Sequence, residues 1–310
     1  MSQTTDTILM IRPVNFRMNE QTAVNNYFQE DLAIKNAQLN NNAQAEFDAF
    51  VDKLKSAGIN VIVMDDKLED DTPDSIFPNN WVSFHRNGDV AMYPMFAENR
   101  RRERREDVFL KLEDEGFKIE NIVDYTRAED EGLFLEGTGS MILDRVNKKA
   151  YCALSQRADE DLFIEFCEDF EYTPVVFVAN QDVDGQRKPI YHTNVMMCLA
   201  ECFAVICLDS IDDKKDRKAV LKSLKQDGKS VIDISETQMH QFAGNMLQVH
   251  SVDAKKYLVM SKSAHNSLTE KQISDIEKHC EIISSDLKTI ETCGGGSARC
   301  MMAEVFLPKS

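Results

Sequence analysis

Positive charge is what this sequence is shortest of: 36 lysines and arginines stand against 53 aspartates and glutamates, for a net charge of −17. So acidic a surface has no stripe for the phosphates of nucleic acid or of an anionic membrane, and neither is expected as a partner. Long apolar runs are missing too, since none approaches the roughly 18 residues of a membrane span. The start, MSQTTDTILMIRP, has no basic segment ahead of its apolar run and does not read as a secretion signal. The eight cysteines lack the regular spacing of a disulfide framework, so reduced thiols and a cytoplasmic location are expected. Cys198, Cys202 and Cys207 lack zinc-ligand spacing, fall in the continuously apolar segment YHTNVMMCLAECFAVICLD and read as core packing. What is present is a composition 43% hydrophobic and 8% aromatic, enough to bury a sizeable core. A small molecule is the partner that fits.

The chain is organised around ETCGGGSARCMMAEVF, residues 291–306, near its C-terminal end. Gly294, Gly295 and Gly296 allow positive φ and close backbone approach. A loop contorted in that way, set before a strand-like run, brings a side chain and backbone N–H groups to one point, as a nucleophile requires. Cys300 is the candidate there, although by itself it reads equally well as one more buried thiol.

Residues 7–12 and 59–64 read as strands, and 20–57 as helix with loops, stopping at Ala57-Gly58. A module then recurs, in which a polar or glycine-bearing turn enters a short apolar strand, a tight turn and a second strand. It is seen in FPNNWVSFHRNGDVAMYPM, LEGTGSMILDRVNKKAYCALS, YHTNVMMCLAECFAVICLD, FAGNMLQVHSVDAKKYLVMS and SARCMMAEVFLP. Asn87-Gly88 marks the first hairpin. Helical stretches such as DEDLFIEFCEDF and DRKAVLKSLKQDG lie between the modules. The residues opening them, Asn80, Glu136, His192, Asn245 and Cys300, recur at intervals of 56, 56, 53 and 55. Such a period implies modules stacked in an array or closed in a ring, and a ring of five turns all five residues towards one cavity. Singly, Glu136 reads as a turn carboxylate and His192 as a core histidine. The shared period places a thiol, an imidazole and a carboxylate together, the set expected of thiolate catalysis.

The FPNNW unit, the LEG after an acidic helix, the HTN before an apolar strand and the GGGSARC loop together resemble the guanidine-modifying superfamily of the pentein fold. Its members include arginine deiminases, dimethylarginine hydrolases and amidinotransferases. The resemblance runs from about Arg12 to Pro308, and RPVNFRMNEQTAVNNYFQ is most similar to the bacterial citrulline utilization hydrolases. It implies an α/β fold, a five-bladed α/β propeller with pseudo-five-fold repeats, as a single catalytic domain over 1–310. It makes Cys300 the nucleophile, His192 the general acid/base and Glu136 the carboxylate that binds the reacting nitrogen. It also implies Arg157, in YCALSQRAD, as the receiver of the substrate α-carboxylate, with Arg100 the second candidate; Arg101–Arg105 reads as a solvated helix face.

Two departures bear on the substrate. The arginine deiminases have aspartates where this chain has Asn80 and Asn194, and those aspartates grip a cationic guanidinium. A neutral amide offers a donor to a C=O as well as an acceptor to an N–H, which favours a ureido group. Asp65, Asp66, Asp71 and Asp74, just upstream, remain as alternative acids. The expected activity is therefore hydrolysis of citrulline to ornithine, ammonia and carbon dioxide through a thiocarbamate on Cys300, with no metal or organic cofactor. The alternatives are a guanidine-acting relative (deiminase, dimethylarginine hydrolase or amidinotransferase) and, from a different class, a non-catalytic binding protein of the same fold. The set Cys300, His192 and Glu136 argues against the latter. Oligomeric state is left open, a homo-oligomer included, and Asn245 receives no role.

Overall fold

Ile8 and Met10 pack into one apolar core and Leu9 and Ile11 into another, so the strand Thr7–Arg12, the middle of a three-stranded sheet, is buried on both faces. In the computed structural model, which describes residues 2–32 and 34–309, it pairs antiparallel with Ala303–Glu304 and parallel with Asn60–Asp65. The two ends of the chain thus share one sheet. The same plan recurs four times, with an inner strand, an antiparallel middle strand and a parallel outer strand. The inner strands are Val82–Phe84, Met141–Asp144, Met197–Leu199 and Leu247–His250. Their middle partners are Asp89–Met92, Lys149–Ala153, Phe203–Ile206 and Lys256–Ser261. A helix bridges each middle strand to its parallel outer strand, as a parallel pairing requires. None of these sheets closes on itself among the described residues.

Packing joins each sheet to the next. Leu9 and Ile62 share a core with Trp81 and Val90, and Ala91 and Tyr93 share one with Met141 and Ala150. Tyr151 and Phe177 pack with Met197, Val205 and Leu258, and Val249 and Val259 return to Ile8 and Phe47. The helix Asn36–Ser56 buries Leu39, Ala43, Phe47, Phe50 and Leu54 at three- and four-residue spacings, one face of a helix. Phe47 and Phe50 are fully buried, worth roughly 1.5–3 kcal/mol apiece. Asp159 and Asp213 cap the helices Glu160–Asp169 and Lys214–Gln226 by accepting backbone N–H bonds at their starts.

Two expectations are corrected. Of the segment 20–57, read as helix with loops, the helix takes only Asn36–Ser56, and the described residues between 20 and 35 are turns and extended chain, because amide side chains there and nearby compete for backbone partners: Asn40 Oδ1 accepts Phe16 N–H at 2.8 Å, and Asn26 Oδ1 accepts Phe28 N–H at 3.1 Å. Cys202 is exposed, whereas Cys198 and Cys207 are buried. The apolar residues around it belong to paired strands, and the hairpin turn that carries Cys202 faces solvent whatever its flanks. No helix among the described residues is long and apolar enough to cross a membrane.

Candidate active site

The five periodic residues stand at the turns that lead into the inner strands, and all are buried. Asn80 ends the turn Pro78–Asn80, Glu136 precedes Gly137–Ser140 and His192 precedes Thr193–Met196. Asn80, His192 and Cys300 line one cavity with Asp74, Arg100 and Arg157. Glycine makes this convergence possible, since a Cβ at Gly139 would lie 2.4 Å from Asn80 Nδ2 and 2.8 Å from His192 Nδ1. In the GGG loop only Gly295 has positive φ (62°); at Gly294 and Gly296 a Cβ would fall 2.9 Å from the Phe77 ring. Close approach, more than strained backbone, is what those two glycines supply.

Glu136 is the electrostatic centre. Its Oε2 accepts His192 Nε2 at 2.7 Å and its Oε1 accepts Phe96 N–H at 3.0 Å. Arg157 Nη1 lies 3.6 Å and Arg100 Nη1 3.8 Å from the same Oε2. Burial alone would raise the carboxyl, but Arg157, His192 and Arg100 outweigh it and hold it at about 2. An ionised carboxylate only accepts, so His192 carries its proton on Nε2, leaving Nδ1 as the unprotonated nitrogen. Burial lowers the imidazole to about 4 against the pull of Glu136, which keeps it neutral near pH 7.

Cys300 Sγ receives two amide donors, Asn245 Nδ2 at 3.2 Å and Asn194 Nδ2 at 3.4 Å. Asn194 Oδ1 is buried without a hydrogen-bond partner among the described residues. Asn80 is more constrained than the sequence suggested, because its Oδ1 accepts Arg100 Nη1 at 2.8 Å and its Nδ2 donates to Asn79 Oδ1 at 3.0 Å. The two candidate arginines also separate. Arg100 is clamped bidentately by Glu103, at 2.9 Å through both Nε and Nη2. Arg157 instead donates Nε to Asn25 Oδ1 at 2.9 Å and Nη2 to Thr22 O at 2.9 Å, both on the segment before the first helix. Beyond Arg100 the basic run is tied down rather than solvated: Arg101 and Arg104 pair with Glu129, and Arg105 with Asp107, while Arg102 stays exposed.

Three further contributors take places that the sequence did not assign them. Asp74 alone of the four upstream acids reaches the cavity; Asp65 and Asp71 are exposed and Asp66 accepts Thr72 Oγ1. Its Oδ2 accepts Asn19 Nδ2 at 2.8 Å while its Oδ1 is buried and unpaired among the described residues. Burial raises its carboxyl, with Arg100 opposing. Asn245 shared the period, but its contact with sulfur is visible only in space. The segment around Asn19–Gln29 covers the cavity, with Asn26 and Gln29 donating to Gly294 O at 3.4 and 3.3 Å. Under this cover the free space is about 10 Å³, room for about one water molecule. Among the described residues no group of three or more His, Cys, Asp or Glu is arranged to hold a metal ion.

The family model that matches this chain places it in the guanidino-group-modifying, or pentein, superfamily, and repeated α/β modules with a thiol, an imidazole and a carboxylate buried at their inner-strand entrances agree with that. More narrowly, the chain belongs to the family described as N,N dimethylarginine dimethylhydrolase, eukaryotic, whose model matches residues 12–307. No curated protein sequence matches it. Among solved structures it is similar to ArgZ, an arginine dihydrolase from the ornithine-ammonia cycle in cyanobacteria (TM-score 0.74, 16% identity, 98% of this chain). AgrE is comparable, with TM-score 0.74, 17% identity and 98% coverage. This chain spans only 41% of ArgZ and 40% of AgrE, but 99% of the isolated N-terminal domain of ArgZ. That domain has been seen with substrate, with product and covalently bound to a reaction intermediate. A dimethylarginine dimethylaminohydrolase in adduct with S-methyl-L-thiocitrulline matches at TM-score 0.62 and 13% identity, covering 97% of this chain and 99% of its own.

Proposed function

We propose that the protein hydrolyses the ureido group of citrulline to ornithine, ammonia and carbon dioxide, with Cys300 as nucleophile, His192 as acid/base and Glu136 as the group that orients and charges the site. The reading takes the five sheets as blades of one closed propeller, residues 1–310 as one catalytic domain, and a reducing cytoplasm as its setting. As substrate binds, His192 Nδ1 takes up a proton, from the Cys300 thiol or from water; the Cys300 thiolate attacks the ureido carbon, His192 gives that proton to the departing nitrogen, and the C–N bond breaks to release ammonia. Water then gives its proton to His192 and attacks the thiocarbamate; the C–S bond breaks, and the released carbamate takes up a proton and loses carbon dioxide. Arg157 receives the α-carboxylate by exchanging its bonds to Asn25 and Thr22 for two parallel bonds to the substrate. That exchange requires the covering segment to lift, because free space for one water does not admit an amino acid.

The observation that carries the substrate choice is the orientation of Asn80. Arg100 donates to its Oδ1, so the amide is fixed with Nδ2 as the atom left over, and one of the two Nδ2 hydrogens is not used by Asn79. A leftover donor suits the C=O of a ureido group and opposes a guanidinium, which presents donors only. Asp74 favours a second reading, a guanidine-acting enzyme in the sense of the family's description, because its unpaired carboxylate oxygen would accept a cation. Under the first reading that cation is the substrate α-ammonium. Ammonia, ornithine and methylamines released from citrulline, arginine, dimethylarginine and agmatine decide between them, with Cys300→Ala as the blank. Citrulline should give one ammonia per ornithine and be the preferred substrate. Faster turnover of arginine or dimethylarginine overturns the ureido reading, and activity retained in Cys300→Ala overturns the covalent one.

A further inference from the structure

Asn245 makes more hydrogen bonds than a turn residue needs, and their directions leave it one orientation. Its Oδ1 accepts Arg299 N–H at 3.0 Å, while its Nδ2 donates to Asn194 O at 3.0 Å and approaches Cys300 Sγ at 3.2 Å. Turned over, the amide would set NH₂ against an N–H and a carbonyl oxygen against a carbonyl oxygen, so the group facing sulfur is a donor. Gly244 keeps the turn close enough for this, since a Cβ there would lie 2.3 Å from Val195 O. Asn194 is not held in the same way: its Nδ2 reaches the sulfur at 3.4 Å, but its Oδ1 has no partner among the described residues. The two amides at the nucleophile are therefore unequal, one locked by the backbone and one half free.

We infer that Asn245 is a catalytic residue that holds Cys300 as the thiolate through a fixed N–H donor, which leaves Asn194 able to turn from the sulfur to the reacting end of the substrate. The inference rests on Cys300 being the nucleophile, but not on which substrate it attacks. A donor bonds a thiolate more strongly than a thiol, so it favours loss of the S–H proton to water. His192, neutral near pH 7, cannot supply the compensating charge in the free enzyme. The other ionisable groups on the cavity are Asp74, Tyr191, Arg100 and Arg157, with Glu136 behind His192. The test is the rate of Cys300 carboxamidomethylation by iodoacetamide against pH, followed by peptide mapping without substrate. Asn245→Ala should raise the midpoint by about one pH unit, slowing labelling about tenfold below both midpoints. The isosteric Asn245→Asp, which turns an anion towards the sulfur, should raise it further, and Asn194→Ala should raise it less than Asn245→Ala. Midpoints of Asn245→Ala and Asn245→Asp equal to wild type, in folded protein, overturn the inference. If neither variant folds, thiolate absorbance of wild type against Cys300→Ser decides, because a midpoint at or above the ordinary value of about 8.5 also overturns it. Labelling needs no turnover, so a failed citrulline assay and a failed inference are told apart.

Discussion

Replacing Glu136 by Gln keeps the volume of a fully buried side chain and removes the charge on which three neighbours depend. Arg157 and Arg100 stand 3.6 and 3.8 Å from Oε2. At the effective dielectric suited to such sites each attraction is about 4–5 kcal/mol before desolvation is counted. Desolvation cancels much of it, and removing one member of a buried ionic cluster typically leaves a net loss of about 3–5 kcal/mol. The second effect is on His192. The natural carboxylate accepts from both Phe96 N–H and His192 Nε2, whereas an amide has one accepting oxygen. If Phe96 takes that oxygen, the NH₂ faces Nε2 and drives the imidazole proton to Nδ1, removing the unprotonated nitrogen from its place. Positioned acid/base catalysis is worth about 10²–10⁴, and at least the lower figure should be lost. Because Glu136 pulls the imidazole upwards, its loss should also move the acid limb of any residual activity below the natural value of about 4. Urea unfolding and ammonia release between pH 3 and pH 8 read both effects. A variant within about 1 kcal/mol of wild type whose acid limb stays put or moves upwards would refute the electrostatic account.

Acid should unfold the protein progressively. The unfolded chain protonates His192 near its ordinary value of 6.5 and the native one only near 4, so the stability it contributes is complete above about 6.5 and is lost as pH falls towards 4, about 3 kcal/mol in all. His85, His240 and His250, also lowered by burial, act in the same direction, and a Tm that is flat from pH 7 to pH 5 would contradict this. Arg157→Lys, which loses the planar fork, should raise KM for citrulline about tenfold while sparing the analogue without the α-carboxylate; an equal loss on both would deny Arg157 that role.

Much of the site was legible because period survives where contact does not. Asn80, Glu136, His192, Asn245 and Cys300 occupy one position of a recurring module, and the modules were visible as paired apolar runs with helices between them. What escaped was whatever depends on a partner remote in sequence. Within 20–57, read as helix with loops, the covering segment could not be told from the helix after it, because nothing local says that Asn19 will meet Asp74 and Asn99, or that Asn26 and Gln29 will meet the carbonyl of Gly294. Asp74 could not be picked from its acidic neighbours for the same reason. The two arginines show where the boundary falls. As residue types Arg100 and Arg157 are equal, and what separates them is Glu103, one turn further on, which takes up the Arg100 fork and leaves it to orient Asn80. Arg157 shares Glu136 with Arg100 and His192 at the longer distance of 3.6 Å, and its hydrogen bonds run to a side-chain amide and a backbone carbonyl on the covering segment. On the proposed reading substrate and cover therefore compete for one guanidinium, so that Arg157, if it receives the α-carboxylate, would also register whether the cavity is open.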